Sequence, residues 1–368
     1  MFIGLSNQKL VLEILWFNWS DIKNPNAGGA EVFTHEVMRR LVTKRHHVTL
    51  FSAEFPKGLQ NEEIDGVNII RQGSSYSVYG RARKYYMRHR NDYNYIVDEI
   101  NTKPFLTPRF VRHKPILALI HQLAREFWIY ETHFPLNLIG YYYLERKWLS
   151  YYKDVLTATV SNSSKEDLEQ IGFKKILLVP QGLSVLPLSE VPNKQPEPTI
   201  VFLGRLKKVK LPHHAIEAFC IIKREIPNAK MWVIGDGYML KKLRNSKIED
   251  IIFHGHVSNE LKYQMLSKAH LVLAPAVREG WGLVVTESNA MGTPVIAYNV
   301  PGLRDSVKHG ETGILVKDNS PESLAHAALS LLNDPTLLRK YSVNALEFSR
   351  QFNWDNTADV FDRIINSN

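Results

Sequence analysis

The sequence contains a single cysteine, Cys220, among its 368 residues, so the chain has no partner with which to form an internal disulfide. No apolar run reaches the ~18 residues that a membrane-spanning helix needs. The first nine residues, MFIGLSNQK, lack the basic start and the long apolar core of a secretory signal, and they are expected to form a short extension. These absences predict a cytoplasmic chain without transmembrane helices.

Metal-binding patterns are also missing from the sequence. No cluster of cysteine and histidine has the spacing of a metal site. The adjacent pairs His46-His47 and His213-His214 would point apart on a helix or strand. Cys220 lies in a helical pattern and is expected to be a buried, small apolar residue. The sequence therefore predicts no metal site.

Positive charge is abundant and uneven, with a formal net charge of +9. Residues 81–114 combine many basic side chains with interleaved tyrosines. The basic residues are Arg81, Arg83, Lys84, Arg88, Arg90, Lys103, Arg109, Arg112 and Lys114, and the tyrosines are Tyr85, Tyr86, Tyr93 and Tyr95. The segment is either a solvated face or a surface for an anionic partner. Because nothing resembles a nucleic-acid module, we expect an anionic membrane surface rather than nucleic acid.

Apolar strands alternate with amphipathic helices along the whole chain, which predicts an α/β fold with parallel sheets. The predicted strands are 10–17, 47–52, 67–71, 116–120, 155–160, 176–179, 199–203, 230–234, 251–254, 270–275, 294–298 and 314–316. The predicted helices are 32–41, 212–224, 238–245, 258–267, 283–291, 321–332 and 335–368. The length exceeds the ~250–300 residues of most single cores. The proline-rich segment 186–198 is therefore interpreted as a linker between domains at 1–185 and 199–350.

The stretch Arg278 to Ser288, with sequence REGWGLVVTES, joins a predicted strand to a predicted helix. Ligands bind at this end of the strands in open α/β sheets, and a helix N-terminus there offers free N–H groups to phosphate. Glu279 and Glu287 flank the turn, and carboxylates accept hydrogen bonds from sugar or ribose hydroxyls. The stretch therefore predicts a nucleotide-sugar site.

Other strand ends carry residues of matching chemistry. The segment 204–210, GRLKKVK, brings Arg205 and Lys210 to a strand end, where they suit a diphosphate if they are more than a solvated basic loop. The segment 28–31, GGAE, either lets backbone approach a ligand or forms a tight turn. His121 follows strand 116–120 and is either structural or functional. Gly235 in IGDG and the FHGHV loop at 253–257 give weaker signals.

Five segments of the sequence resemble, in this order, the motifs of glycosyltransferase family 4, the group 1 retaining enzymes. They are NPNAGGAE, FLGRLKKVK, VIGDG, FHGHV and REGWGLVVTESNAMGTPVIA. The resemblance implies a GT-B fold, in which two doubly wound Rossmann-like domains face each other across a cleft. The first domain would bind the acceptor and the second the donor. A last helix at 351–368 would cross back to the first domain. Departures from the family pattern at 211–212, Tyr238 and Trp281 concern the donor rather than the fold.

The resemblance also assigns roles to individual residues. Glu287 would bind the ribose, Glu279 the donor sugar, and Arg205 with Lys210 the diphosphate. The catalytic residues would be His121, Arg205, Lys210 and Glu279. The donor-binding residues would be Gly28, Gly29, Arg205, Lys210, Gly235, His256, Val257, Glu279, Gly280, Trp281, Gly282, Leu283 and Glu287. Acceptor binding would fall to Glu31 and His121.

By this resemblance the chain would move a hexose from a UDP- or GDP-linked sugar to a hydroxyl group, with retention and without a metal or other cofactor. The acceptor would be a glycan or a lipid-linked saccharide, as in N-glycan or cell-surface polysaccharide assembly, although a soluble acceptor stays open. The basic segment 81–114 and the aromatic segment 141–148 would place the protein peripherally on the cytoplasmic face of a membrane. The alternatives are a GT-B-fold nucleotide-sugar epimerase and a noncatalytic nucleotide-sugar-binding protein.

Overall fold

A computed structural model describes residues 11–245 and 248–367 of the chain. The first half forms an eight-stranded sheet in the order β3-β4-β2-β1-β5-β6-β7-β8, parallel except for the antiparallel pair β3 and β4. Its strands are β1 Glu13–Phe17, β2 His47–Ser52, β3 Asn61–Ile64, β4 Val67–Arg71, β5 Tyr95–Glu99, β6 Ile116–Leu119, β7 Leu156–Thr159 and β8 Ile176–Leu178. Parallel neighbours bring the carboxyl ends of β1, β5 and β6 to one edge of the sheet.

Helices cover both faces of this sheet. They are α1 Gly29–Thr43, α2 Val78–His89, α3 Glu126–Glu131, α4 Leu136–Ile139, α5 Glu145–Leu149 and α6 Asn162–Gln170. A π-helical turn at Gly140–Leu144 joins α4 to α5, and short 3-10 turns lie at Thr107–Arg109 and Ser150–Tyr152. The helical segment 126–149 therefore forms an irregular arm between β6 and β7.

The second half forms a six-stranded parallel sheet in the order β11-β10-β9-β12-β13-β14. Its strands are β9 Thr199–Leu203, β10 Lys230–Ile234, β11 Ile251–Gly255, β12 Leu271–Ala274, β13 Val295–Tyr298 and β14 Gly313–Val316. Its helices are α7 Pro212–Glu225, α8 Leu240–Arg244, α9 Asn259–Lys268, α10 Leu283–Ala290, α11 Leu303–Ser306, α12 Pro321–Leu332 and α13 Pro335–Ser349, and the last helix is α14 Trp354–Asn366. The strand order changes direction between β9 and β12, where ligands bind in such sheets.

The last helix, α14, packs on the first sheet. Phe361 is fully buried and stacks on Trp16 of β1 with ring centroids 5.1 Å apart. The Trp354 indole N–H donates to the Ser184 hydroxyl at 3.0 Å. A Cβ atom at Gly182 would lie 2.1 Å from the Trp354 ring, so only glycine admits this close approach. The first sheet thus completes its core with residues that follow the second domain in sequence.

Most predicted elements are present with shifted ends. The predicted spans 47–52, 67–71, 199–203, 230–234 and 321–332 match the structure, and the side chain of Ser320 caps α12. The strand predicted at 10–17 is observed from Glu13, and residues 1–10 lie outside the described residues. The tail predicted as helical, 335–368, is observed as the two helices α13 and α14, because Asn353 caps a new helix where the chain turns towards the first sheet.

Three of the four tyrosines of 81–114 are buried and cannot contact an anionic partner. Tyr86, Tyr93 and Tyr95 are 3%, 8% and 1% exposed, because they fill the first domain's core around α2 and β5. Tyr85 donates to or accepts from the Tyr93 hydroxyl at 2.7 Å. Cys220, expected to be buried, lies half-buried against the second core. None of the described helices combines the length and apolar character that crossing a membrane requires.

His270 joins the start of β12 to β9. Its Nδ1 atom accepts the backbone N–H of Thr199 at 3.0 Å, and its own backbone N–H donates to the Thr199 carbonyl at 2.8 Å. Burial and, to a smaller extent, the positive charge of Lys194 lower the pKa of His270 to about 4. The neutral imidazole is therefore part of the folded sheet.

This lowered pKa makes stability depend on pH. The unfolded pKa is about 6.5, so between about pH 6.5 and 4 the unfolded chain holds a proton that the folded chain rejects. The stabilisation is complete above about pH 6.5 and is lost as the pH falls towards 4. We expect the urea midpoint to fall between pH 7 and 5, and His270→Gln to flatten this fall. His326→Gln, at an exposed position on α12, is the matched control. An unchanged pH profile in His270→Gln would contradict the expectation.

Candidate functional site in the cleft between the sheets

A cavity of ≈ 360 Å³ lies where the carboxyl ends of the two sheets face each other. The first domain contributes the start of α1 and residues that follow β5 and β6. The second domain contributes residues that follow β9 and β12, together with parts of α9 and α10. The lining includes Ala27, Gly28, Gly29, Ile100, Asn101, His121, Gln122, Gln181, Arg205, Lys210, Lys262, Glu279, Gly280, Trp281, Gly282, Leu283 and Glu287. Both halves of the chain therefore build one site.

The loop between β12 and α10 runs through the centre of this site. Gly282 directly precedes α10 as its N-cap with φ 87°, a left-handed conformation that favours glycine. At Gly280 a Cβ atom would lie 2.9 Å from the His121 carbonyl oxygen, so the absence of a side chain allows the two domains to meet here. The loop thereby presents the N-terminus of an eight-residue helix to the cavity, where its free N–H groups favour an anion.

The two glutamates of the stretch 278–288 each form an ion pair with a lysine. Glu279 pairs with Lys210, and their side chains are 15% and 25% exposed. Glu287 accepts from Lys262 at 2.7 Å and from the Tyr263 hydroxyl at 3.2 Å. Burial, and then the charge of Glu287, raise the pKa of Tyr263, so its hydroxyl stays a donor. The site thus alternates carboxylate acceptors with ammonium donors, a set that can bind both hydroxyls and phosphates.

Arg205 reaches from the second domain to the loop before α1. Its guanidinium donates to the Asn26 carbonyl at 3.2 Å. A Cβ atom at Gly28 would lie 3.1 Å from the same guanidinium, so glycine leaves room for the cation. Glu31 accepts the Gly28 backbone N–H at 2.7 Å, and burial raises the pKa of its carboxyl. The carboxylate of Glu31 therefore caps α1 and does not line the cavity.

His121 is positioned by a buried carboxylate. Its Nε2 atom lies 3.3 Å from Glu99, which also accepts from the Trp16 indole at 2.9 Å and the Thr34 hydroxyl at 2.6 Å. The ring packs edge-on against Phe33 with centroids 5.0 Å apart. Because Nε2 faces the carboxylate of Glu99, a proton on Nε2 is donated there, which fixes the orientation of the ring in the cavity.

The cavity brings together most of the residues predicted from sequence. The predicted residues that line it are Gly28, Gly29, His121, Arg205, Lys210, Glu279, Gly280, Trp281, Gly282, Leu283 and Glu287. Those outside the lining are Glu31, Gly235, His256 and Val257. Gly235 has a packing role, since a Cβ atom there would lie 2.0 Å from the Gly204 carbonyl oxygen.

Sequence reasoning missed four polar residues of the lining: Lys262, Asn101, Gln122 and Gln181. Asn101, Gln122 and Gln181 follow β5, β6 and β8 within three residues, so their positions after strand ends were a usable signal. Lys262 lies inside α9 and carries no such signal in the sequence. Its place in the site follows only from the packing of α9 beside α10.

Arg278 fastens the two domains together at one side of the cavity. It donates to Glu126 of α3 at 2.5 Å and also pairs with Asp167 of α6. Burial disfavours its charged form, but Glu126 and Asp167 outweigh that effect and raise the pKa of Arg278. Nearby, Glu131 accepts from the Val209 backbone N–H at 3.1 Å and from the Tyr238 hydroxyl at 2.9 Å. Helix α3 therefore holds the loop that carries Lys210.

In residues 11–245 and 248–367, no three His, Cys, Asp or Glu side chains are grouped so that they would hold a metal ion. The charged lining consists of Arg205, Lys210, Lys262, Glu279 and Glu287.

Two family models match the chain in succession. The model described as Glycosyltransferase Family 4 matches residues 27–185, and that described as Glycosyl transferases group 1 matches residues 188–348. A D-inositol 3-phosphate glycosyltransferase of Jonesia denitrificans is 30% identical over 171 residues, which cover 43% of this chain and 40% of that protein. The chain matches 20% to 40% of the length of this and comparable curated relatives.

Solved structures share the fold over almost the whole chain. Sucrose-phosphate synthase from Thermosynechococcus elongatus superimposes with a TM-score of 0.79 at 20% identity, covering 97% of this chain and 98% of that one. HepE of Anabaena in complex with UDP-glucose gives a TM-score of 0.75 at 18% identity, covering 97% and 100%. The prediction of a GT-B fold with two Rossmann-like domains facing each other across a cleft is confirmed.

Proposed function

Since the chain belongs to the family 4, group 1 glycosyltransferases, we propose that it transfers a hexose from a nucleoside-diphosphate sugar to a hydroxyl group with retention. One observation supports the proposal most strongly. Arg205, Lys210, Glu279 and Glu287 converge on the cavity between the domains, although they come from distant parts of the sequence. This set matches the groups of a nucleotide sugar, which are a diphosphate flanked by two hydroxyl-bearing rings.

In this proposal the donor takes over existing ion pairs. The diphosphate lies against Arg205, Lys210 and the N-terminus of α10, which provide positive charge from three directions. As Lys210 turns to the phosphates, Glu279 is released to accept hydroxyls of the sugar. Glu287, steadied by Lys262 and Tyr263, accepts hydroxyls of the ribose. The complex of HepE with UDP-glucose is consistent with such a donor. The donor panel described below tests whether the nucleotide is UDP or GDP.

The proposed chemistry breaks the bond between the anomeric carbon and the diphosphate oxygen. The electron pair leaves with the diphosphate, whose growing negative charge Arg205 and Lys210 stabilise. The acceptor hydroxyl forms the new bond on the same face and passes its proton to an oxygen of the departing diphosphate. Fixed cations and helix N–H groups fulfil this role with the residues present, so the proposal needs no metal ion.

A hydrolysis and transfer assay with a panel of UDP- and GDP-linked sugars tests this function. We expect one donor to be consumed, with release of its nucleoside diphosphate. For Glu287→Ala we expect the KM for that donor to rise about ten- to hundredfold with a small change in kcat, because a lost hydrogen bond to a charged group costs roughly 1.5–3 kcal/mol of binding. Glu322→Ala, on α12 away from the cavity, is the control. Nucleotide-sugar binding without turnover would favour a noncatalytic binder, and turnover to an epimer would favour the epimerase.

For the acceptor side we propose a glycan or lipid-linked saccharide approached at an anionic membrane surface. The support is the arm at 126–149, which exposes apolar and aromatic side chains next to the cleft. Its exposed members are Ile129, Tyr130, Phe134, Leu136, Leu138, Ile139, Tyr142 and Tyr143. Its glutamates are engaged inside the protein, Glu145 by the backbone N–H groups of Ala124 and Arg125. Co-sedimentation with anionic vesicles at low salt checks this surface, and failure to bind them would contradict it.

A further inference from the structure

A second cavity, of ≈ 260 Å³, lies in the first domain between α2 and the loop that follows β5. We refer to it as the basic pocket. Its walls combine Tyr79 and Arg83 of α2 with Lys103, Phe105, Arg109 and Phe110 of the loop. It shares no lining residue with the cleft cavity.

Cations and aromatic rings alternate around the basic pocket. The Lys103 ammonium lies 4.3 Å from the centre of the Tyr79 ring, and the Arg83 guanidinium lies 6.0 Å from that of Phe110. In the described part of the chain, Arg83, Lys103 and Arg109 form no ion pair, since no carboxylate oxygen lies within 4.0 Å of their side-chain nitrogens. Three positive charges therefore share one cavity without a carboxylate in ion-pair contact, an arrangement that favours an anion.

The pocket also has room and a fixed shape. Gly80 lies inside α2, where a glycine costs roughly 0.5–1 kcal/mol relative to alanine, and a Cβ atom there would meet nothing within 4 Å. The buried carboxylate of Asp98 anchors the opposite wall by accepting from the Phe105 and Thr107 backbone N–H groups at 3.2 Å each. Leu106 between them is held in a left-handed conformation with φ 60°. The pocket is therefore pre-formed.

The basic pocket is connected to the cleft and to the arm. The loop that builds it begins with Ile100 and Asn101, which line the cleft cavity, and reaches the pocket two residues later at Lys103. On its other side, the Arg109 guanidinium lies 5.2 Å from the ring of Tyr151, which follows the arm and is 41% exposed. A molecule whose hydroxyl lies in the cleft can thus extend an anionic group towards the pocket.

From these observations we propose that the basic pocket binds a phosphate group of the acceptor. Arg83 and Arg109 contact the phosphate oxygens, Lys103 adds a third charge, and the aromatic walls pack against the group that carries the phosphate. The phosphate is either that of a soluble phosphorylated acceptor or the headgroup of a lipid-linked one, since the same oxygens are recognised. The claim that the phosphate belongs to the acceptor rests on the proposed function. The claim that the pocket binds phosphate does not.

A 31P NMR titration with inorganic phosphate tests the site, with saturating UDP or GDP present to fill the cleft. We expect the Kd to rise at least tenfold in Arg83→Gln/Arg109→Gln, because hydrogen bonds to charged groups each contribute about tenfold or more in affinity. The matched control is Lys84→Gln/Arg88→Gln, which removes equal charge from the other side of α2, and a change below twofold is expected. Equal loss in both variants, or no loss in the first, would overturn the proposal. Unfolding midpoints verify that both variants fold, and Lys103→Gln is a second test.

Vesicles of phosphatidylcholine with and without phosphatidic acid, at physiological salt, distinguish the two sources. A lipid source predicts that Arg83→Gln/Arg109→Gln loses binding to phosphatidic acid at least tenfold while the control retains it. A soluble source predicts phosphate binding in solution with no vesicle difference between the variants. A separate result would show that the proposed function is wrong: the protein without substitutions would neither hydrolyse a donor nor bind a nucleoside diphosphate. In that case the titration is repeated in Arg205→Ala, which weakens the cleft as a competing anion site.

Discussion

Replacing Lys210 by alanine is expected to lower kcat for donor cleavage by about 10²–10³, the range found when one fixed charge-stabilising donor is removed from an active site. The reason is geometric as well as electrostatic. Lys210 lies at the cavity on a 3-10 turn, held there by Glu131 through the Val209 N–H, and it pairs with Glu279. Its charge acts mainly on the leaving diphosphate, which becomes more negative as the bond breaks. The effect should therefore appear more in kcat than in KM.

The measurement is steady-state release of nucleoside diphosphate from the donor identified in the panel. Lys208→Ala removes the same charge two residues away, from an exposed position outside the cavity lining, and should change kcat less than threefold. A Lys210→Arg variant should recover part of the rate, because the charge is kept while the geometry changes. If Lys210→Ala kept more than a tenth of the original kcat, Lys210 would not stabilise the leaving group.

Replacing Arg278 by methionine is expected to destabilise the protein by about 3 kcal/mol, since removing one partner of a buried ion pair leaves the others uncompensated. Arg278 is 9% exposed and bridges Glu126 and Asp167, whose side chains are 35% and 13% exposed. Arg125 stays 3.9 Å from Asp167 and partly screens it, which places the effect at the lower end of the usual range. The loss falls on the contact between the domains, beside the cavity.

Urea denaturation followed by tryptophan fluorescence measures this loss. The control is Arg350→Met, which breaks an exposed pair with Glu347 at 3.1 Å and should cost less than about 1 kcal/mol. Adding Asp167→Asn to Arg278→Met should return part of the stability, because it removes the stranded charge. A loss below about 1 kcal/mol for Arg278→Met would show that the bridge contributes little net stability.

The fold was largely predictable from periodicity, and the exceptions have local causes. Strand β5 went unnoticed because Asp98 and Glu99 make its end look polar, whereas tertiary hydrogen bonds from Thr107, Trp16 and others satisfy both carboxylates. Strand β3 has the sequence NEEI and lies at the sheet edge, where polar residues are tolerated and apolar periodicity disappears. The break before α14 has a local signal in the N-cap Asn353, and the family resemblance placed the last helix at 351–368.

Site residues that follow strand ends in the sequence were predictable, whereas site residues that helix packing brings to the cavity were not. Glu279, Glu287, Arg205 and Lys210 stood in recognisable motifs, and the cavity brings them together. The counter-ion of Glu287 was not visible in the sequence, since Lys262 is one of many helical lysines until α9 packs beside α10. The basic segment 81–114 was likewise predictable in part. Its composition indicated an anionic partner, but only the structure separates the buried tyrosines from the cations that surround a cavity.

The position of α14 has a consequence for the order of folding during synthesis. The first sheet is translated early, yet Phe361, which covers Trp16, follows more than 150 residues of the second domain. At about 5–20 residues per second, the ribosome needs roughly 10–30 s to reach α14 after finishing the first sheet. During that interval the part of the first core that α14 covers, including the Trp16 ring, lies exposed on the nascent chain. Chaperone demand should therefore be concentrated in the time before residues 354–366 emerge, even though both sheets are built mainly from local βα units.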